Sequence, residues 1–283
     1  MRIRKRTPFL LDQHINDTDF LVVDVETTGL SVDHGDRVCE IGAVRLRGGA
    51  IIESYGTLIN PQRPISAGAY AVNRISPQMV ADAPVFPEIA DKLWQMMQDA
   101  ILVAYNAPFD LSFITYEFKL AGYPTVKNPV VDALVLARQL IPGLNTYQQQ
   151  NVASVVGIPF PVKHRALEDT MTTAQLFTIF TLILKAYGCT QCADLQRRDL
   201  LQVLSEQRIS ILQSAISNRS NLWIKYLSPT NAEISERIVT PRECINQRLG
   251  KTPSTYLIAH CHSADEERNF RVDRILDLRI MER

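Results

Sequence analysis

The strongest constraint on the fold is residues 20–26, FLVVDVE, where two carboxylates interrupt a nearly continuous apolar run. Such a run indicates a central strand in a sheet that is covered on both faces. Side chains alternate along a strand with a period of two, so Asp24 and Glu26 point to the same face. Two adjacent acids cannot neutralise each other, and an ionised group in an apolar strand is unfavourable without a partner. The segment predicts either an ion pair with a lysine or arginine, or a divalent cation held by both carboxylates.

The segments around this strand indicate an α/β domain. Strands are predicted at residues 38–46 and 51–59, joined by a hairpin turn, and at residues 100–105. Helical periodicity covers five segments, residues 87–97, 108–120, 130–140, 147–156 and 166–187. Strands that come first and then alternate with helices are typical of an α/β fold.

After residue 191 the pattern changes to one or two connecting helices at residues 194–218, followed by short strands. The predicted strands are residues 222–227, 234–240, 256–261, 269–272 and 275–280. Short strands at this spacing are typical of a small barrel or sandwich. We therefore expect a loose N-terminal arm (residues 1–17), an α/β domain (18–188), a helical linker (189–205) and a small β domain (206–283).

Composition excludes several classes of protein. Of the 283 residues, 46% are hydrophobic and 21% are charged, which is close to the average for globular proteins. No apolar run reaches the roughly 18 residues that a membrane span needs, and the apolar stretch near the N-terminus is too short for a signal peptide. Five cysteines agree with a reducing compartment, so we expect a cytoplasmic protein without membrane contact.

The charges exclude a global field that would attract nucleic acid. The chain has 30 basic and 30 acidic residues, so a nucleic-acid contact must come from a local site. Residues 191–283 carry 14 basic residues, of which 12 are arginine, against 12 acidic ones. Arginine favours bidentate contact with phosphate or carboxylate, so the second domain is the better candidate for such a site.

One C-x-x-C pair, Cys189 and Cys192, lies at the expected domain junction. A zinc site would need two more ligands, and the candidates are Cys244, Cys261, His260 and His262. Because no second paired spacing is present, ordinary thiols are the favoured interpretation.

Two more acids and a histidine follow later elements of the first domain. Asp110 lies in the first turn of the predicted helix at 108–120, and Asp169 begins the last helix, just after His164. The helix macrodipole alone would favour an acid at either position. However, the ends of neighbouring strands and the helix starts that follow them meet at one edge of an open α/β sheet. Four carboxylates at such positions favour a common site.

These residues resemble the three motifs of the DEDDh 3′–5′ exonuclease family, which includes proofreading subunits of bacterial DNA polymerase. The matching segments are residues 24–29 (DVETTG), 106–110 (NAPFD) and 164–169 (HRALED). The resemblance covers about residues 18–188 and implies a ribonuclease H-like fold with a mixed sheet and flanking helices. One departure is Tyr105, where relatives often have histidine, and this position is not a metal ligand.

The resemblance implies a two-metal site for hydrolysis of phosphodiester bonds. Two Mg²⁺ or Mn²⁺ ions would be held by Asp24, which bridges both, and by the other three carboxylates. His164 would be the general base, since histidine takes up a proton near neutral pH. The residues expected to position the 3′-terminal nucleotide are Thr27 and Thr28 through their backbone amides, Asn106 through its side chain, and Glu26 at the terminal 3′-hydroxyl.

Residues 206–283 resemble the WYL domain, a small SH3/Sm-like β-barrel. The most specific part is residues 268–275, RNFRVDRI, whereas Thr255 replaces the tryptophan that gives the domain its first letter. Arginines in this region could form a solvated surface paired with acids. Alternatively, they could hold single-stranded nucleic acid or a nucleotide, because arginine contacts phosphate and aromatic rings stack on bases. The candidate residues are Arg237, Arg268, Arg271 and Arg274.

The leading interpretation is a metal-dependent 3′–5′ exonuclease that acts on nucleic acid with a free 3′ end, with single-stranded DNA favoured. The alternatives are an exoribonuclease for short RNA and a ligand-sensing regulator whose first domain only grips a 3′ end. A polymerase or a repair protein is an expected partner. All four carboxylates and His164 are present, which favours an active enzyme.

Overall fold

The computed structural model describes residues 9–159, 165–228, 233–247 and 254–281. These residues form two compact units, which are described separately. The first unit contains the described residues within 1–135, 158–178 and 191–196, and the second contains those within 136–157, 179–190 and 197–283. The four linear parts expected from the sequence stay a prediction.

A mixed five-stranded sheet forms the centre of the first unit. Its strands are β1 (Asp19–Thr27), β2 (Val38–Arg47), β3 (Ala50–Leu58), β4 (Ala100–Ala104) and β5 (Val130–Asp132). The strand order is β3-β2-β1-β4-β5, with β2 antiparallel to β1 and β3, and β4 parallel to β1 and β5. The predicted central strand and the β2–β3 hairpin are confirmed. Apolar side chains of β1 and β4, including Leu21 and Leu102, are fully buried in the core.

Eight helices are described in the chain. They are α1 (Ala67–Asn73), α2 (Pro77–Val80), α3 (Phe86–Met97), α4 (Ala107–Leu120), α5 (Ala133–Leu140), α6 (Gln149–Val155), α7 (Ala166–Ala186) and α8 (Leu200–Ser217). The predicted helix at residues 130–140 is wrong at its start, because the first three residues pair with β4 as strand β5. Within the described ranges, no helix combines the length and the apolar character needed to cross a membrane.

The N-terminal segment differs from the loose arm that the sequence predicts. Residues 1–8 lie outside the described residues, but Leu10–Asp12 and Ile15–Asp17 form short 3-10 helices. Ile15 is buried, and the Gln13 carbonyl accepts a hydrogen bond from the Cys192 amide at 2.9 Å. Burial of this apolar side chain and pairing of the backbone fix the segment to the first unit.

Two glycines let the start of α7 approach the sheet of the first unit. Gly42 on β2 pairs with Asp24 on β1 and with Gly56 on β3. A Cβ on Gly42 would lie 2.3 Å from the Ala166 carbonyl oxygen, and one on Gly56 would lie 2.9 Å from Leu167 Cβ. Directly paired residues project to the same face, so the helix start lies on the face that carries the Asp24 side chain.

An antiparallel five-stranded sheet forms the main part of the second unit. Its strands are β6 (Leu222–Leu227), β7 (Ile234–Gln247), β8 (Ser254–Cys261), β9 (Glu266–Arg271) and β10 (Ile275–Ile280), in the order β10-β6-β7-β8-β9. The sequence ends the second predicted strand at residue 240, but β7 continues through Pro241. The register shifts between Pro241 and Glu243, and such a bulge accommodates a residue that cannot donate a backbone hydrogen bond.

We expect Gly42→Ala to lower the free energy of unfolding by about 1–3 kcal/mol, the usual effect of an added methyl group in a packed site. The new Cβ would overlap the α7 backbone, which cannot move without shifting the helix start. Gly68→Ala is the matched control, because its Cβ would meet only Ser66 Oγ at 3.9 Å. Denaturant unfolding measures both variants, and equal stabilities for the two would contradict the close approach.

Candidate functional site

Three of the four predicted carboxylates form a cluster at the end of β1. Asp24, Glu26 and Asp169 each offer a carboxylate oxygen, and these oxygens lie within 4.8 Å of one another. Asp24 and Glu26 come from alternate positions of β1, and Asp169 comes from the first turn of α7, which Gly42 allows to approach. Packing of one helix on two glycines therefore brings acids more than 140 residues apart in sequence into one cluster.

The fourth carboxylate, Asp110, is attached to the same strand by its backbone. Asp110 lies in the first turn of α4 and is 3% exposed. Its Oδ1 accepts a hydrogen bond at 3.1 Å from the amide of Val25, the residue between the two acids of β1. This contact fixes α4 beside the cluster, and Asp110 is close enough to raise the pKa of Asp24.

A fifth acid, Glu40 on β2, was missed at the sequence level. It pairs directly with Glu26, its carboxylate lies 3.5 Å from the Arg165 guanidinium, and it accepts the Ala166 amide at 3.3 Å. Glu40 therefore caps the start of α7 beside the cluster. The available signal was the same as for β1, since Glu40 is an acid inside the apolar segment 38–44, but its pairing with Glu26 depends on strand register.

Burial and mutual repulsion raise the pKa values of these acids. Burial is the largest cause for Asp24, whose pKa is raised well above its usual value, and the neighbouring carboxylates add to this increase. Burial, followed by the charges of Asp169 and Glu40, raises the pKa of Glu26 to about 8. Burial also raises the pKa of Asp110 to about 7, against the lowering effect of the Val25 amide. The site is therefore hard to ionise fully without a cation.

The donor set fits a hard divalent cation. All ligand atoms of the cluster are carboxylate oxygens, which Mg²⁺ and Mn²⁺ prefer, whereas zinc favours histidine and cysteine ligands. The neighbours that raise the pKa of Asp24 are themselves carboxylates, so a cation would relieve their repulsion. Over the described residues, no comparable cluster includes Cys189, Cys192 or the histidines of the second unit. This agrees with ordinary thiols at the C-x-x-C pair.

Asn73 is a second residue that the sequence did not indicate. It is 3% exposed, its side chain forms a hydrogen bond with Glu26, and its Nδ2 donates to the Thr27 carbonyl oxygen at 3.2 Å. Its Oδ1 accepts the Ile75 amide at 3.0 Å. Asn73 therefore connects the end of α1 to the end of β1 and orients one acid of the cluster.

The two threonines after the cluster have different environments. Thr28 is fully buried, its amide donates to the Arg37 carbonyl at 2.9 Å, and its hydroxyl donates to Asp36 at 3.1 Å. The Thr28 amide is thus already paired within the protein, so the expectation that it contacts a nucleotide is wrong. Thr27 Oγ1 donates to the Gly29 carbonyl at 2.6 Å, and this loop lies next to Glu26.

Asn106 lies at the turn between β4 and α4. It is exposed and has a left-handed backbone conformation, with φ 70° and ψ 52°. This places the predicted nucleotide-binding side chain at the head of the helix that carries Asp110. His164, the predicted general base, lies outside the described residues, and the adjacent Arg165 is the residue that contacts Glu40.

The predicted arginines of the second unit do not share one surface. Arg268 and Arg271 are three residues apart on β9, so their side chains project to opposite faces of the sheet. Arg268 forms an ion pair with Glu266 at 2.6 Å, and Arg271 forms one with Asp273 at 2.6 Å. Both pairs are partly exposed.

The other two arginines make contacts within the second unit. Arg237 on β7 donates to Ser235 Oγ at 3.1 Å and has its Nη1 3.7 Å from Cys261 Sγ. Arg274 is 6% exposed, and its guanidinium donates to the carbonyl oxygens of Ser228 and Gly143, both at 3.3 Å. These contacts indicate a structural role for Arg274 rather than the predicted role in binding nucleic acid.

Comparison with known proteins identifies two families along the chain. Residues 21–177 match the RNase_T family model, described as exonuclease, and this range contains all four carboxylates. Residues 207–280 match the WYL domain, in agreement with the second predicted resemblance.

Curated relatives include parts of bacterial DNA polymerases. A PolC-type DNA polymerase III of Caldanaerobacter subterraneus subsp. tengcongensis is 34% identical over 229 residues, which is 79% of this chain and 16% of the polymerase. An epsilon-like protein of DNA polymerase III from Rhodobacter capsulatus is 37% identical over 185 residues, 64% of this chain and 26% of that protein. The chain thus spans about a quarter or less of the length of these relatives.

Solved structures support the fold. A zinc-bound complex of E. coli exonuclease I with single-stranded DNA has a TM-score of 0.53 and 17% identity, over 86% of this chain and 54% of that one. At this identity, the likeness concerns the fold alone. The match of residues 21–177, together with the clustered carboxylates of β1 and α7, shows that the chain belongs to the RNase_T exonuclease family and carries a C-terminal WYL domain.

Proposed function

We propose that the protein is a divalent-metal-dependent 3′–5′ exonuclease, with single-stranded DNA as its favoured substrate. The observation that carries this proposal is the cluster of Asp24, Glu26 and Asp169 beside Asp110. DNA is favoured over RNA because the relatives include DNA polymerases and exonuclease I was solved with single-stranded DNA. A polymerase or repair protein is the proposed partner.

The cluster would hold two Mg²⁺ or Mn²⁺ ions through Asp24, Glu26, Asp110 and Asp169. When bound, such ions activate water and stabilise the charge on the leaving 3′-oxygen. The contacts of Asp110 with β1 and of α7 with Gly42 hold the carboxylates in place before substrate arrives. Such preorganisation avoids rearrangement during the reaction.

Other residues of the first unit would handle the proton and the nucleotide. His164 would take the proton from the attacking water, since the imidazole titrates near neutral pH. The side chain of Asn106 and the loop at Thr27 would contact the 3′-terminal nucleotide, and Glu26 would contact its 3′-hydroxyl. Asn106 supports this role because it is exposed at the head of the helix that carries Asp110.

We also propose that the second unit, closed as a small SH3/Sm-like barrel, holds the strand whose end is hydrolysed. Arg268 and Arg271 support this role because their side chains are 41% and 33% exposed and can exchange an acid for a phosphate. Arg237 would contribute to the same role from β7. A ligand-sensing role for this unit is the alternative.

We expect Asp24→Asn and Asp169→Asn to fold normally and to lose nearly all hydrolysis, because each removes a carboxylate that the ions require. The measurement is release of nucleotides from single-stranded DNA, duplex DNA and short RNA, labelled at either end, with and without Mg²⁺. Asp82→Asn, an exposed acid outside the cluster, is the matched control. Full activity of either cluster variant, or of the wild type in excess chelator, would exclude the mechanism.

We expect the stability of the metal-free protein to fall as pH rises from about 4 to about 8. The pKa values of Asp110 and Glu26 are raised to about 7 and about 8, so in this range the folded state binds more protons than the unfolded state. Mg²⁺ requires ionised carboxylates, so it should raise Tm more at pH 8 than at pH 6. Thermal unfolding at both pH values, with and without Mg²⁺, measures this difference. Glu26→Gln should reduce it, and a Mg²⁺ effect that does not depend on pH would contradict the assignment.

We expect Arg268→Ala to weaken oligonucleotide binding and to reduce the salt dependence by about 0.7 per phosphate contact. In contrast, Arg274→Ala should lower the free energy of unfolding by about 1–3 kcal/mol, because it leaves two buried carbonyl oxygens unpaired. Fluorescence anisotropy at several salt concentrations and denaturant unfolding separate the two effects. Unchanged affinity and salt slope in Arg268→Ala would favour the sensing role.

A further inference from the structure

One carboxylate oxygen holds the turn that leads into α4. Oδ1 of Asp132, the last residue of β5, accepts the Asn106 amide at 3.2 Å. The same oxygen accepts the amides of Leu134 and Val135 at 2.9 and 3.4 Å, at the start of α5. Asp132 thus connects the starts of two helices.

The backbone at Asn106 depends on such a contact. The left-handed conformation is unfavourable for most residues with a side chain, although asparagine adopts it more readily than most. Asp132 pairs with Ala104 at the end of β4, so its carboxylate lies beside the turn that contains residues 105 and 106. The hydrogen bond to the Asn106 amide fixes the chain where the strand ends and the helix begins.

The same turn sets the position of two groups of the proposed site. The Asn106 carbonyl accepts the Phe109 amide at 3.0 Å in the first turn of α4. Asp110 follows and reaches the Val25 amide on β1. A shift of the turn would therefore move the Asn106 side chain and the Asp110 carboxylate together, although Asp132 itself lies outside the carboxylate cluster.

We propose that Asp132 is a positioning residue of the nuclease site, which orients Asn106 for the terminal nucleotide and Asp110 for the metal ions. This inference rests on the proposed function. Asp132 acts as a hydrogen-bond acceptor for the turn, and its negative charge is not what the site needs. A neutral side chain with an oxygen at the same place should therefore preserve the effect.

Two substitutions separate the acceptor from the charge. Asp132→Ala removes both, whereas Asp132→Asn removes the charge and keeps an oxygen that accepts backbone amides. We expect kcat/KM of Asp132→Ala to fall by about 10²-fold, the usual effect of a displacement of about 1 Å in a site. The Mg²⁺ concentration for half-maximal activity should rise at the same time, because Asp110 is displaced. Asp132→Asn should recover most of both quantities.

Asn128→Ala is the matched control for loss of stability. Asn128 Nδ2 donates to the carbonyl oxygens of Met97 and Ala100 at 2.7 and 2.8 Å, at the opposite end of β4 and β5. Its loss should lower Tm while kcat/KM and the Mg²⁺ requirement stay near the wild-type values. If Asn128→Ala and Asp132→Ala lose activity equally at equal Tm, Asp132 has only a structural role.

Hydrogen exchange of the Asn106 amide tests the inference without any turnover. We expect faster exchange at residues 105–110 in Asp132→Ala, and exchange near the wild-type rate in Asp132→Asn. Unchanged exchange in Asp132→Ala, or equal losses of kcat/KM in the two variants, would overturn the proposal. An inactive wild type with the expected exchange pattern would instead exclude the nuclease function and leave the positioning contact intact.

Discussion

Repulsion between carboxylates is the constraint on which the first unit depends. Asp24 and Glu26 lie on the central strand, where burial opposes ionisation, and further acids approach them from α4, α7 and β2. Each approaching acid is held by a contact that opposes this repulsion. Asp110 accepts a strand amide, and Glu40 accepts the amide at the start of α7 and contacts Arg165. The fold therefore supplies the force that keeps the acids together, and a cation would supply the compensating charge.

A buried ion pair reinforces this arrangement from the far side of α4. Glu117 is 1% exposed and accepts hydrogen bonds from Arg37 Nε at 2.7 Å and from the Val38 amide at 3.1 Å. The pair fastens α4 to the beginning of β2, so this helix is attached to the sheet through both Asp110 and Glu117. Removal of one partner from such a pair is strongly destabilising, because it leaves an uncompensated buried charge. Two attachments on one helix leave little freedom for the Asp110 carboxylate.

The central strand, the hairpin and the four acids could be predicted because each depends on a local pattern of residues. Period-two alternation places Asp24 and Glu26 on one face, and helix starts place Asp110 and Asp169. The role of Glu40 could not be predicted, because its pairing with Glu26 depends on the register between two strands. The burial of Arg274 was equally inaccessible. Its acceptor at Gly143 lies 131 positions away in sequence, so a motif gives no sign that the guanidinium is already engaged.

The two units are interleaved along the chain, which passes between them at residues 135/136, 157/158, 178/179, 190/191 and 196/197. Helix α7 is continuous from Ala166 to Ala186, yet its first part belongs to one unit and its last part to the other. A single cut in the gene therefore cannot release either unit whole. Recombination that exchanges domains between genes works on contiguous segments, so the two halves of this protein are inherited together, and complementary fragments would have to associate to restore the complete architecture.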